Sequence, residues 1–536
     1  MKKQSFVFGA VILALSGIIC KILGAVYKIP LTNILGIQGM GIYYLIFPMY
    51  AFLLTFTSSS FTMAISKYVS KSVADNKKLL AFKIFKASLI LLVILGIVAS
   101  VVLCLLSKII ASLQGFENAF ICYLIIAPSV LLVATISAFK GYFQGLQNMT
   151  PTAIAQIIEQ IFKLSVGFLL AKILFKKGAL FGAVGALLGI TISEIFTLVF
   201  FVICFIIFKT KNKKYYNFEN ATIDEKNIKL AELMKDIFKM SLPFTFSSVI
   251  LPMSLVIDSF LIINLLKTMA FDKVFATSLL GLNSGMVNTL IGLPTTLSIA
   301  ICMTIVPYIT FALSKKDVSA VNEKTTLAFK LTIIIAIPCV FAFVFFAPHI
   351  IRILYSSSFS NVYQYNVATS LLMISAINVL YLAFLQITTA ILQAINKVYV
   401  PVISLSVALM FKVICEIVLI QIPYLNIFGA VISNTVCYVI SSIINIYYIK
   451  KSIDLEFSFY QTIFSPIFAS IAMVACVFVL MQTILKFISV SLGILISFVV
   501  GGFIYIFLIF IFKTFTKKEQ LSLLFFKRIN NEKSNK

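Results

Sequence analysis

Long apolar runs, separated by brief polar breaks, follow one another from the first residues to about position 512. A transmembrane helix needs about 20 predominantly apolar residues to cross about 30 Å of hydrocarbon. Runs near 5–27, 42–66, 84–107, 119–139, 152–174, 179–208, 237–263, 276–304, 327–350, 366–392, 398–421, 424–449, 460–485 and 488–512 meet that length. The pattern predicts an all-α polytopic membrane protein of about fourteen transmembrane helices. Neighbours such as 398–421 and 424–449 leave room for only a tight turn. The longest polar break, KTKNKKYYNFENATIDEKNIKLAELMKD at 209–236, reads as a solvated cytoplasmic linker, too short for a compact domain. The tail 517–530, KKEQLSLLFFKRIN, predicts a short amphipathic helix on the inner membrane surface. Lys2 and Lys3 precede a first apolar run that contains Lys21 and no A-x-A pattern, which makes it an uncleaved first span rather than a signal peptide.

The runs also repeat. Gln144-Gly145-Leu146-Gln147, Pro151 and Lys163 are followed about 249 residues later by Gln393-Ala394-Ile395-Asn396, Pro401 and Lys412. Phe181-Gly182-Ala183-Val184 recurs as Phe428-Gly429-Ala430-Val431, and Ile65–Ser70 is echoed by Ile305–Thr310 at an offset of 240. Pro48 falls opposite Pro294. The matches keep the same order in both halves. Six spans separate the two copies of the junction, so the copies share one orientation and relate by a pseudo-twofold axis along the membrane normal. The expected division is an amino-terminal six-helix lobe at 1–208, the linker 209–236, a second six-helix lobe at 237–450, two further helices within 451–513 and a basic tail at 514–536.

Composition changes the picture little, but charge orients it. The 536 residues are 61% hydrophobic and 11% charged, with formal net charge +25; a soluble domain carries about 25% charged residues. Most of the 43 lysines and arginines fall in the even-numbered connections and the two termini. That bias places both termini in the cytoplasm by the positive-inside rule. The basicity therefore reports topology and attraction to anionic lipid, not nucleic-acid binding. Lys172, Lys176 and Lys177 are a local exception on the outer side. With no Trp, interfacial aromatic positions fall to tyrosines such as Tyr43-Tyr44 and Tyr447-Tyr448. The nine cysteines form no CxxC pair, so neither a disulfide framework nor a zinc site is indicated. One histidine excludes the two-histidine zinc motifs, and no G-x-x-x-x-G-K-[ST] phosphate loop is present.

An ionisable residue inside a span costs roughly 2.5–3.5 kcal/mol on insertion scales and marks function by default. Seven qualify: Lys21, Glu159, Lys163, Glu194, Asp258, Lys412 and Glu416. Lys21 shares a face with Gly17, Gly24 and Lys28, and the small neighbours leave space for an anionic group; a snorkelling or paired lysine is the plainer alternative. Glu159 and Lys163 lie one turn apart, as do Lys412 and Glu416 in reversed order. Either pair can neutralise itself or line a cavity, and Gln156 and Gln160 widen the polar face around the first. Asp258 has no opposite charge on its own helix, shares a face with Ser254 and Ser247, and sits where Pro243 and Pro252 loosen the helix. An acid so placed binds a coupling cation or pairs with a lysine from another helix.

The segments LSGIICKILGAVYKIPLTNILGIQGMGIYYLIFPMY, AISKYVS, KGYFQGLQNMTPTAIAQIIEQ and LNSGMVNTLIGLPTTLSIAICMTIVPYIT resemble the MOP flippase superfamily in its MurJ and stage V sporulation protein B branch. The resemblance implies two six-helix lobes around a central cavity, two extra helices forming a groove for a polyprenyl tail, and alternating access. It implies flipping of an undecaprenyl-diphosphate-linked oligosaccharide from the inner to the outer leaflet of a bacterial inner membrane, with membrane lipids and that lipid-linked cargo as partners. Lys21 matches a basic position of the first span. With Lys28, Glu159 and Lys163 it makes the expected substrate-binding set. Asp258 and Glu416 match a coupling-cation site, for sodium or a proton, while Lys412 has an ammonium able to occupy the space a sodium ion would need. No basic residue lies inside the second or eighth span, which favours a general polysaccharide or sporulation-cortex cargo over lipid II. No cofactor is expected. A cation-coupled drug exporter on the same scaffold would do without the final two helices, and a polysaccharide polymerase or ligase would need a larger outer loop.

Overall fold

The computed structural model describes residues 6–212, 223–453, 458–484, 490–512 and 514–515; Lys2, Lys3 and the tail 517–530 lie outside the described residues. Among these residues there is no β-strand. The helices are α1 (Phe6–Leu54), α2 (Ser60–Ala74), α3 (Lys78–Leu113), α4 (Phe120–Gly145), α5 (Thr150–Phe175), α6 (Ala179–Lys211), the short α7 (Ile223–Asn227), α8 (Leu230–Thr268) and α9 (Lys273–Leu280). They continue with α10 (Asn288–Ser314), α11 (Val318–Tyr355), α12 (Val362–Ser375), α13 (Ile377–Ala394), α14 (Tyr399–Ile420), α15 (Ile427–Lys450), α16 (Ser465–Ile484) and α17 (Val490–Ile511). Each of the fourteen predicted runs has a helical counterpart. Twelve described stretches are long and apolar enough to cross a membrane, and one of them, Leu15–Ala74, holds two of the predicted runs.

That first stretch departs from expectation. The connection 28–41 stays helical, broken only at Gly36, whose φ of 62° and ψ of 179° no helix accommodates. In a straight helix Lys28 and Phe47 would stand roughly 28 Å apart. The Lys28 ammonium instead lies 5.9 Å from the Phe47 ring centroid. The break at Gly36 thus folds α1 into two arms that face each other, and Lys28 belongs to a helix rather than to an outer connection.

The described helices form two compact units. One holds α1–α9 with Ser357–Ser360 and Val413–Ala430; the other holds Leu290–Ser356, Asn361–Lys412 and the described residues from Val431 onward. In the first unit α5 packs on α6 and α1, α3 on α4, and α2 on α4. Glycines permit these approaches. A Cβ on Gly189 would overlap the backbone of Gly167, and Cβ atoms on Gly141 and Gly145 would come 2.7 and 2.6 Å from the Cβ atoms of Ile65 and Val69. These are small-residue crossings four residues apart, which let helix backbones approach in lipid. Phe61, Ile65, Val69, Phe85, Tyr142 and Phe143 fill the core between α2, α3 and α4.

The linker is not simply solvated. Residues 223–236 comprise α7 and the start of α8, and Leu233 packs with neighbouring Ile237 into the α2–α3–α4 core, with Ile228, Leu230 and Met234 beside them. The Lys83 ammonium donates to the carbonyls of Lys226 (2.8 Å) and Ile228 (3.0 Å), capping the end of α7. The Leu80 amide donates to Glu225 at 3.4 Å in the first turn of α3. The apolar period 230, 233, 234, 237 carries the docking, a signal outweighed in the sequence by nearby charges.

In the second unit α11 packs with α12, α13 and α16, and α16 with α17. The Tyr505 hydroxyl donates to the Ile334 carbonyl at 2.7 Å. Lys330 is buried, donating to Gln461 Oε1 at 3.3 Å and lying 5.6 Å from the Phe515 ring centroid. It therefore belongs to a buried contact at the start of the apolar run. Asn445 joins Ser404 (2.7 Å) and Thr388 (3.1 Å) in a buried polar network between α13, α14 and α15.

The duplication is written into the backbone. Gln147 and Asn396, 249 residues apart, have φ of 58° and 61°; Asn76 and Lys316, 240 apart, have 58° and 57°. Each ends a helix with the same long-range closing bond: Asn148 to Phe143 (3.0 Å), Lys397 to Leu392 (2.8 Å), Lys77 to Ser72 (2.8 Å) and Asp317 to Ala312 (3.0 Å). Gly182 sits against Phe175 and Gly429 against Leu419 and Ile420, so the repeated FGAV begins α6 and α15 in the same relation to the helix before it.

Candidate functional site

The α5 residues Gln156, Gln160, Lys163 and Gly167 recur at helical spacing and put one polar stripe on one face. That face lies along the first arm of α1. Ser16 donates to Gln156 Oε1 at 2.9 Å, a Cβ on Gly24 would stand 3.6 Å from Gln160 Oε1, and one on Gly167 would meet the Tyr27 hydroxyl at 2.7 Å. The two helices thus run in register and in the same direction.

The second arm of α1 supplies an aromatic ladder. Tyr43 and Phe47 stack at 5.5 Å, Tyr44 meets Phe47 edge-on at 6.3 Å, and Tyr50 follows at 6.1 Å. Two cations converge on this ladder. Lys28 lies 5.3 Å from the Tyr44 centroid and 5.9 Å from Phe47, and Lys163 lies 5.8 Å from the same Phe47 ring. Ammonium groups over aromatic faces are held at about 0.5–2 kcal/mol each. Both lysines are half-buried. Glu159 and Glu194 lie within electrostatic reach of Lys163, yet among the described residues no ion pair within 4.0 Å joins Glu159 to Lys163. The ammonium of Lys163 faces Phe47 and Lys28.

Two ammonium groups stand beside one ring, with carboxylates near but not bonded to them, an arrangement whose charge and spacing suit a compact dianion. Lys21 lies on the same α1 arm and is exposed. Asp258 on α8 is buried, as are Lys412 and Glu416 on α14. The structure brings together Lys28, Glu159 and Lys163 of the expected set. The aromatic platform of Tyr44 and Phe47 carried no distinguishing sequence signal. Glu194 was visible as an intramembrane acid, but its place beside Lys163 was not. Among the described residues no group of three or more metal-ligating side chains occurs.

The sequence profile of the polysaccharide biosynthesis protein family matches residues 6–313, more than half the chain. The chain belongs to that family. Among curated relatives it is 26% identical over 458 residues to the stage V sporulation protein B of Bacillus subtilis (strain 168), covering 85% of this chain and 86% of that protein. It is 26% identical over 457 residues to the lipid II flippase MurJ of the same organism, covering 83% and 82%. Among solved structures it resembles a lipid II flippase MurJ in an inward closed conformation (TM-score 0.67, 14% identity, 94% of this chain and 99% of that one). It also resembles an inward-facing multidrug resistance MATE family transporter of the MOP superfamily (TM-score 0.61, 17% identity, 81% and 95%). The fold is that of these two-lobed proteins. This family member is a multi-pass membrane protein of the flippase and transporter kind, not an enzyme.

Proposed function

We propose that this protein carries an undecaprenyl-diphosphate-linked oligosaccharide, a precursor of cell wall or spore polysaccharide, from the inner to the outer leaflet of a bacterial cytoplasmic membrane by alternating access. The observation that carries this reading is the convergence of Lys28 and Lys163 on Phe47 inside membrane-length helices. A diphosphate presents charge to both ammonium groups, while its polyprenyl tail need not leave the hydrocarbon. Lys21, exposed further along the same arm, serves as an added contact for the anion. The termini lie in the cytoplasm, and transport couples to a cation or to the membrane potential, with Asp258, Lys412 and Glu416 as the responsive groups. Similarity to a sporulation protein and to a lipid II flippase supports the class of cargo.

The test is depletion of the protein in its host, followed by identification of the lipid-linked intermediate that accumulates on the inner leaflet. Wild-type protein restores translocation. A variant carrying Lys28→Ala and Lys163→Ala reaches the membrane but does not restore it. Normal translocation by that double variant would overturn the assignment.

A further inference from the structure

The turn that follows α3 carries a fully buried glutamine, Gln114. It closes the helix, and Gly115 beyond it takes a φ of 77°, the left-handed conformation that commonly ends a helix. The Leu113 carbonyl, one of the groups a helix end leaves over, accepts from Asn264 Nδ2 of α8 at 2.6 Å. Gln114 thus stands on a fixed stub. Its amide makes three hydrogen bonds. Nε2 donates to the Leu45 carbonyl at 3.1 Å and to Ser259 Oγ at 2.9 Å, and Oε1 accepts from the Tyr123 hydroxyl at 2.7 Å. A backbone carbonyl only accepts, so these partners admit one orientation of the amide. Ser259 passes its own proton to the Val256 carbonyl at 2.6 Å.

The Leu45 carbonyl belongs to the turn of α1 that holds Tyr44 and Phe47 and that Pro48 interrupts. Proline has no amide hydrogen to give the Tyr44 carbonyl, so the helix's own ladder holds this turn less firmly. Gln114 ties it from outside to α3, α4 and α8. The placing of that turn matters to the two cations. An aromatic face holds an ammonium within about 6 Å of the ring centroid, and Lys28 and Lys163 lie 5.9 and 5.8 Å from that of Phe47. Both stand at the edge of the range, so moving the ring by about 1 Å would release one or the other. We propose that Gln114 is a positioning residue for the cargo site, holding Tyr44 and Phe47 where Lys28 and Lys163 converge on the anion. This inference rests on the diphosphate cargo proposed above.

The experiment titrates the full-length protein in nanodiscs with farnesyl diphosphate and reads its thermal midpoint without ligand. Gln114→Met alone strands the Tyr123 hydroxyl, so it is paired with Tyr123→Phe, which removes that cost. The paired variant keeps a midpoint near that of wild type yet binds about tenfold more weakly, the equivalent of one lost hydrogen bond. Adding Lys28→Met to it then costs less affinity than the same change costs wild type, because the ring is already out of place. Asn264→Ala frees the Leu113 carbonyl but spares the bonds of Gln114; it lowers the midpoint and preserves affinity. Should the paired variant not fold, Gln114→Asn, one methylene too short to span Leu45 and Ser259, carries the same test. Wild-type affinity in the Gln114 variants, full additivity with Lys28→Met, or an equal loss in Asn264→Ala would each overturn the inference and leave the cargo standing. Failure of wild type to bind any diphosphate would overturn the cargo and this inference together.

Discussion

At the scale of single residues, helical spacing puts Glu159 and Lys163 on one face and does not choose between an ion pair and a cavity lining. Glu159 and Lys163 are one turn apart, and that spacing brings Cβ atoms close without deciding which way a four-carbon side chain turns. The fold turns Lys163 to Phe47, because the break at Gly36 brings the second arm of α1 within its reach. Phe47 is one of 52 phenylalanines, so nothing in the sequence set it apart. Lys330 shows the same limit: it lies at the edge of an apolar run, and only its contact with Gln461 reveals that it is buried. A charge-assisted contact is worth about 1.5–3 kcal/mol. Replacing either Lys28 or Lys163 by Met should therefore weaken farnesyl diphosphate binding roughly 10- to 100-fold, read by titration in nanodiscs. Lys163→Arg, which keeps the charge, should lose much less. A Lys163→Met protein with wild-type affinity would remove this lysine from the site.

At the scale of elements, nearly every helix was legible, because a membrane-length apolar run has few alternatives to helix in lipid. The contacts between helices were legible only in part. AISKYVS and KGYFQG stood out as separate motifs, and the fold shows that they are one joint: Gly141 and Gly145 of α4 admit Ile65 and Val69 of α2. The crossing of α5 and α6 is closer still. Gly189→Leu there should cost about 3 kcal/mol or more, the upper end of overpacking penalties, and appear as a marked fall in thermal midpoint in detergent. Gly502→Leu, at a position with open space around it, should change the midpoint little. The docked part of the linker makes a milder prediction. Lys83→Ala removes the two bonds that close α7, worth about 1–2 kcal/mol together. Hydrogen exchange over 223–236 should quicken by roughly 5- to 30-fold while α3 and α4 stay protected. Unchanged exchange would mean that apolar packing alone holds the segment.

At the scale of the whole molecule, the repeat visible in the sequence reappears as paired geometry, including one pairing that no motif announced. A Cβ on Gly41 would overlap the Thr277 carbonyl, and a Cβ on Gly281 would overlap the Ile37 carbonyl. Gly41 and Gly281 are 240 residues apart, as are Ile37 and Thr277, so the contact is its own mirror, in the manner of an interface between two copies related by a twofold axis. The last two helices stand outside this symmetry, and they separate the proposed flippase from a twelve-helix exporter. They are tied to α11 by Tyr505 and by the buried ammonium of Lys330 against Gln461. Deleting 460–512 alone would take the Gln461 contact from that buried ammonium, so loss of transport could merely report misfolding. Deletion combined with Lys330→Met removes the buried charge as well. If the pair serves the lipid tail of the cargo, this protein should reach the membrane with its remaining helices folded, as judged by protease resistance, and still fail to translocate lipid-linked oligosaccharide. Sustained translocation by it would show that the first twelve spans suffice, and would favour the exporter.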